Sequence, residues 1–230
     1  MLVVTIAREY GSGGLEIARR VADGLRIPCL DREIIRLAAQ QAGVSESTAE
    51  ELDERRPSFL KHMLEMMTKY GGSYPDVGVA PSFYIQSPET VKIFDSDTYR
   101  DAVEEAIRNV ATYSGAVIVG RAGQVILRDQ QDAMHVMIVA ALGDRTKRAM
   151  EREKLDQADA EKRVKEIDKR RINYLKGNYD AEWRDPHLYS MVLNSSHLGI
   201  DGCVYAVLDA IERRTALGKD GPGVPTGRAV

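Results

Sequence analysis

Ala7-Arg8-Glu9-Tyr10-Gly11-Ser12-Gly13-Gly14 decides how this chain is read, because it follows directly on the apolar run 2–7 and precedes a helical pattern opening near Leu15 and Glu16. Gly11, Gly13 and Gly14 permit left-handed backbone and close approach of the main chain, so successive N–H groups can turn toward one anion. A helix starting there adds about half a positive charge at its N-terminus. A polyphosphate suits that geometry; a tight strand-to-helix turn that needs glycines only for packing is the alternative. Two regular motifs fail: Walker A requires Lys and Ser/Thr where Gly14 and Leu15 stand, and GxGxxG from Gly11 requires Gly where Glu16 stands.

Working outward, short runs rich in β-branched residues alternate with longer stretches of helical period, the pattern of βαβ units around a parallel sheet. Strands are expected at 2–7, 116–120, 134–141 and 188–193, with a weaker one at 27–30. Their nearly continuous apolar character suits strands covered on both faces. Helices are expected at 14–25, 32–42, 98–113, 144–153, 158–175 and 199–214. Residues 55–96 break the rhythm with Gly71, Gly72, Pro75, Pro81 and Pro88 and read as an inserted helical piece with a loop. The stretch 215–230 is rich in Gly and Pro, lacks apolar period, and reads as a disordered tail. Residues 1–214 are thus expected to form a single domain.

A chain of 230 residues, 43% hydrophobic, suits one α/β domain with a small insertion. The formal charge of -3 and pI near 5.9 give no global basic field for nucleic acid or an acidic membrane. No run approaches the roughly 20 apolar residues of a membrane span, and the opening residues carry no basic leader, so a cytoplasmic protein without membrane or nucleic-acid partners is expected. Cys29 and Cys203 show no metal spacing and read as small buried thiols. His62, His135, His187 and His197 form no triad or metal pattern.

Further motifs extend the first one. REYGSGG, an amphipathic helix, then Ile27-Pro28-Cys29-Leu30-Asp31-Arg32-Glu33-Ile34-Ile35 resemble the opening of cytidylate kinase-like proteins. Val117-Ile118-Val119-Gly120-Arg121-Ala122-Gly123-Gln124 resembles that family's strand-GR segment, and Tyr189-Ser190-Met191-Val192-Leu193-Asn194-Ser195-Ser196 its final strand. The resemblance spans about residues 2–214 and is weakest over 55–96. It implies a P-loop kinase-type three-layer α/β sandwich with a parallel sheet, a helical insertion at 55–96 and an arginine-bearing lid at 154–184. It also implies ATP as phosphate donor, Mg²⁺, and a nucleoside monophosphate as acceptor, with CMP or dCMP favoured.

Phosphoryl transfer relies on positioning, metal and cationic side chains more than on covalent participants. Gly11, Ser12, Gly13 and Gly14 are expected to hold the donor phosphates. Arg121 follows a strand at the sheet's carboxyl edge, where ligands bind in open α/β sheets, and by resemblance grips the acceptor phosphate. An ion pair with Asp129 or Asp132 is its ordinary alternative. Arg170 and Arg171 stand in the lid-like helix, and one or both are expected to cover the reacting phosphoryl group; a solvated face with i,i+4 pairs is the other reading. Arg8 is the substitute for the missing loop lysine, unless it and Glu9 merely pair or pack around the turn. Asp31 serves either the metal and acceptor or as N-cap of the next helix. Ser12 and Asp31 are the expected Mg²⁺ oxygens, through water, with Glu9 a further candidate. Tyr84, after the Gly/Pro-rich loop, is an acceptor-base platform or a buried aromatic. The family's arginine is absent where Leu15 stands. With Gly14, that departure motivates the alternative of a nucleotide-binding sensor with weak chemistry. Oligomeric state is left open.

Overall fold

The computed structural model describes residues 1–31, 96–113 and 115–220. The chain forms two compact units, one of residues 1–31 with 107–230 and the other of residues 32–106. The first holds the sheet and the glycine loop.

Five strands form one sheet in the order β2-β3-β1-β4-β5. They are β1 (Val3–Arg8), β2 (Cys29–Leu30), β3 (Ala116–Val119), β4 (Ala133–Val139) and β5 (Met191–Asn194). All four pairings are parallel; Val4 lies beside Val117 on one side and Met134 on the other. The parallel α/β fold expected from the apolar runs is therefore the one observed. Crossing from β3 to β4 carries the chain over β1, so the strand order reverses there, and the carboxyl edge next to β1 is where such sheets open a ligand crevice.

Helices α1 (Gly14–Leu25) and α2 (Ser96–Tyr113) are followed by the short α3 (Gly123–Ile126), then α4 (Leu142–Glu153), α5 (Gln157–Tyr179) and α6 (Ser195–Asp220). The period of two along the strands sorts the core. Val4, Ile6, Val117, Val119, Val136 and Ile138 bury one face against Ile17 and Val21 of α1 and Val204 and Val207 of α6. Thr5 and Ile118, of opposite parity, meet Gly123 of α3. At roughly 25 cal/mol per Å² of apolar surface, each fully covered Val or Ile contributes about 1.5–3 kcal/mol against exposure.

Several boundaries shift by a few residues, and two elements near the end of the chain differ in kind from expectation. Strand β5 starts at Met191 rather than near 188, because Pro186–Leu188 forms a 3-10 turn whose cap, the Asp185 carboxylate, accepts from the His187 N–H at 2.9 Å. Helix α6 starts at Ser195, breaks at Gly199 (φ 68°, ψ 174°) and runs to Asp220, so residues 215–220 are helical rather than tail. The helix expected at 32–42, the insertion at 55–96 and the tail beyond 220 lie outside the described residues.

His135, on β4, sits beside its register partner Thr5, with Nδ1 2.8 Å from the Thr5 hydroxyl. Burial pushes its pKa below the ordinary histidine value, and the Arg214 charge acts in the same direction. A folded pKa below the unfolded one means the unfolded chain binds the extra proton, so stability falls as pH drops through the window beneath about 6.5. Urea midpoints are expected to decline from pH 7 toward 5, with a shallower decline in His135→Gln. Equal slopes in the two proteins would rule this histidine out as the source.

Candidate active site

The glycine loop leaves β1 at its carboxyl end and enters α1 through Gly13, which is left-handed at φ 80°. Gly11 is also left-handed at φ 78°, and a Cβ there would lie 2.5 Å from the Arg145 carbonyl oxygen. Only glycine fits between that turn and α4. The loop carbonyls are tied outward: Gly11 O accepts from Arg148 Nη1 at 3.1 Å, and Ser12 O accepts from Ser195 Oγ at 2.7 Å. In a trans peptide the N–H points opposite the C=O, so the hold on Ser12 O turns the Gly13 N–H the other way.

Glu9 is buried and fully committed. Its carboxylate accepts from the Ala140 N–H at 3.1 Å and Arg184 Nη2 at 3.0 Å, and lies 3.4 Å from Arg145 Nε. Glu9 is thus ion-paired, with Arg145 and Arg184 rather than with Arg8, which pairs with Asp31. Arg145, itself buried, gives Nη1 to Asp168 at 2.5 Å, and Asp168 also accepts from the Tyr10 N–H at 2.8 Å. Burial raises the Asp168 pKa, opposed by Arg145, Arg171 and Arg184.

Tyr10 fastens the α4–α5 hairpin to the loop. Its ring packs on the small core of Ala149, Ala160 and Val164, and its hydroxyl donates to Glu153. The Arg152 guanidinium lies 4.6 Å and that of Arg171 5.8 Å from the ring centroid, within cation–π range.

Of the two neighbouring arginines on α5, Arg171 lies against the glycine loop and Arg170 is exposed. Arg171 Nη1 donates to the Arg8 carbonyl at 2.6 Å and lies 3.7 Å from Asp168. Burial, then the nearby Arg8 charge, pushes the Arg171 pKa down to about 9; Arg121 pushes the same way and Asp31 and Asp168 oppose. At neutral pH this guanidinium is charged, among other cations.

Arg8 reaches from the end of β1 to Asp31, with Nη2 3.3 Å from Oδ1. Arg121 follows β3 in a run of three left-handed residues: Gly120 at φ 76°, Arg121 at 56° and Ala122 at 56°. Left-handed backbone at two consecutive residues with side chains costs of order 1–3 kcal/mol each and is typical of functional turns. Arg8, Asp31, Arg121 and Arg171 thus gather at one edge with the glycine loop. Arg145, Arg148, Asp168, Arg184 and Ser195 were not anticipated. Tyr84 lies outside the described residues.

Among the described residues no group of three His, Cys, Asp or Glu side chains is placed to hold a metal, and no helix is long and apolar enough to cross a membrane. Ser12 Oγ is buried without a hydrogen-bond partner among those residues, and the Asp31 carboxylate stands at the same edge. That oxygen set fits a Mg²⁺ that takes most of its ligands from water and substrate phosphates.

Residues 3–197 match the model of the cytidylate kinase-like family. The chain belongs to that family. No curated protein sequence matches it. Among solved structures, it is similar to an uncharacterized protein from Eubacterium ventriosum, with 20% identity over 92% of this chain and 99% of that one and a TM-score of 0.63. It also aligns with a gluconokinase from Sinorhizobium meliloti, at 10% identity over 95% of each chain and a TM-score of 0.48. A shikimate kinase from Bacteroides thetaiotaomicron aligns at 10% identity over 92% of this chain and 98% of that one, with a TM-score of 0.47. The first of these shares the fold. For a cytidylate kinase-like chain, the glycine loop after the central strand departs from the Walker pattern at Gly14 and Leu15, while a strand-end arginine and a helix arginine stand beside it.

Proposed function

We propose that this cytidylate kinase-like protein transfers a phosphoryl group from ATP to a nucleoside monophosphate, with CMP or dCMP as favoured acceptor. The observation that carries the reading is the convergence of Arg8, Arg121 and Arg171 on the glycine loop, where burial first, and then the charges of Arg8 and Arg121, lower the Arg171 pKa. Asp31 pairs with Arg8 and Asp168 lies 3.7 Å from Arg171, and the guanidinium forks of such a set suit the oxygens of phosphates. In this reading the loop amides and α1 N-terminus hold the donor phosphates, and Arg121 forks onto the acceptor phosphate from its rigid turn. Arg171 stabilises charge developing on the transferred group. Asp31 orients Arg8. Mg²⁺, when bound, would neutralise phosphate charge, with Ser12 and Asp31 as its protein-side oxygens. The choice of CMP or dCMP rests on family alone. A cytoplasmic setting goes with the reading.

The test is an assay with ATP and Mg²⁺ against CMP, dCMP, UMP, AMP and GMP, detecting ADP and the acceptor diphosphate together. Acceptor-dependent diphosphate is the expected product. Arg121→Ala is expected to weaken acceptor binding by about 1.5–3 kcal/mol, the range for a charge-assisted contact, and to leave ATP binding nearly intact. Equal loss of both affinities would remove Arg121 from its role. Nucleotide binding with no product from any acceptor would favour the sensor, a reading motivated by the absent lysine and hydroxyl at Gly14 and Leu15.

A further inference from the structure

Superposing the Walker pattern GxxxxGK on this loop, with its second glycine at Gly13, puts the first glycine at position 8 and the lysine at position 14. The chain has arginine at the first and glycine at the second. The two departures are reciprocal, and their geometry links them. A Cβ built on Gly14 falls onto the Arg8 Cβ, far inside contact distance, and 3.0 Å from its Cγ. Positions 8 and 14 therefore cannot both carry a side chain without the strand end and the helix start moving apart. A second glycine completes the slot: a Cβ on Gly120 would fall onto the Arg8 guanidinium. Arg8 thus runs between Gly14 on α1 and Gly120 at the end of β3, and its Nη2 emerges beside Asp31.

We infer that the loop cation has been moved from the helix to the strand: Arg8 occupies the space and supplies the charge of the phosphate-loop lysine, and Gly14 is glycine because the Arg8 side chain leaves the strand against it. The inference rests on the proposed kinase reading and adds to it the origin of the degenerate motif. Arginine suits the relocated post. Its guanidinium offers a planar fork to phosphate oxygens, and the Arg8 main chain is held by Arg171 through the carbonyl. Leu15 is not part of the exchange.

The exchange is reversible in principle, which makes it testable by a double-mutant cycle. Binding of MgATP and of inorganic tripolyphosphate is measured by calorimetry on the full chain, with circular dichroism as the fold check. Arg8→Met fills the slot without charge and is expected to weaken both ligands at least tenfold while CMP binding changes less than threefold. Gly14→Lys alone collides with residue 8 and is expected to lower the melting temperature or abolish folding. Arg8→Gly combined with Gly14→Lys removes the collision and returns a cation. The double variant is expected to fold and to bind tripolyphosphate at least fivefold more tightly than Arg8→Gly. Wild-type affinity in Arg8→Met, loss confined to CMP, or a double variant no better than Arg8→Gly overturns the exchange while leaving the kinase reading intact. A wild-type chain that binds neither MgATP nor tripolyphosphate overturns both.

Discussion

Arg171→Ala is expected to lower kcat by about 10²–10³, the loss seen when one preorganised donor to developing charge is removed, whereas Arg170→Ala changes it by less than about threefold. The two residues are neighbours with the same charge, so the contrast isolates position. Arg171 touches the Arg8 carbonyl at 2.6 Å, lies near the Tyr10 ring and feels Arg8 and Arg121, whereas Arg170 is exposed on α5. A guanidinium already fixed at the loop needs no reorganisation as charge builds, which is why the effect should fall on kcat more than on KM. Arg171→Lys keeps a cation but loses the planar fork, and should fall between wild type and alanine. Steady-state kinetics on the four proteins decide the matter. Wild-type kcat in Arg171→Ala, or a larger loss in Arg170→Ala, would sink the assignment. A large rise in KM with unchanged kcat would make Arg171 a ground-state binder instead.

The choice between Arg170 and Arg171 was open in the sequence for a definable reason. Helix α5 buries Ala160, Val164, Asp168 and Leu175, a stripe at helical spacing that carries Arg171 and leaves Arg170 and Lys169 outside. Asp168 hides the stripe, because a carboxylate in an apolar row reads as part of the solvated face. Its partner Arg145 is equally disguised on α4, and no local pattern joins residues 9, 145 and 168 into one buried network. The sheet was far more legible. Its three central strands are apolar runs covered on both faces, and the glycine loop, Arg121 and Asp31 follow β1, β3 and β2 at the same edge. Where the strand reading slipped, at 188–190, Leu188 and Tyr189 suggested an extended run, and Pro186 with its Asp185 cap made a turn instead. Arg8 was marked as the lysine's substitute, but that Gly14 is its steric counterpart follows only from the Cβ positions.

Asp168→Leu is expected to destabilise the fold by about 3–5 kcal/mol, the range for removing one partner of a buried ion pair. Asp168 satisfies three groups at once: Arg145 Nη1 at 2.5 Å, the Tyr10 N–H at 2.8 Å, and Arg171 at 3.7 Å. Its loss strands a buried guanidinium beside the Ala140 carbonyl with Glu9 as the remaining carboxylate at 3.4 Å. It also leaves the Tyr10 amide without its acceptor. The attraction itself is not the main term, since burying two charges costs nearly what their pairing returns. The test of that distinction is Arg145→Met combined with Asp168→Leu. With the stranded charge gone, the double variant should recover part of the stability lost in Asp168→Leu, even though Glu9 then keeps only Arg184 and the Ala140 amide. Urea denaturation of the four proteins gives the coupling. Full additivity, or a cost below about 1 kcal/mol for Asp168→Leu, would mean that Asp168 is hydrated in solution and does not fasten α5 to the loop. Because Tyr10 and Arg171 share this carboxylate, the stability loss should come with a fall in kcat, which ties the buried pair to the positioning of the arginine at the phosphate edge.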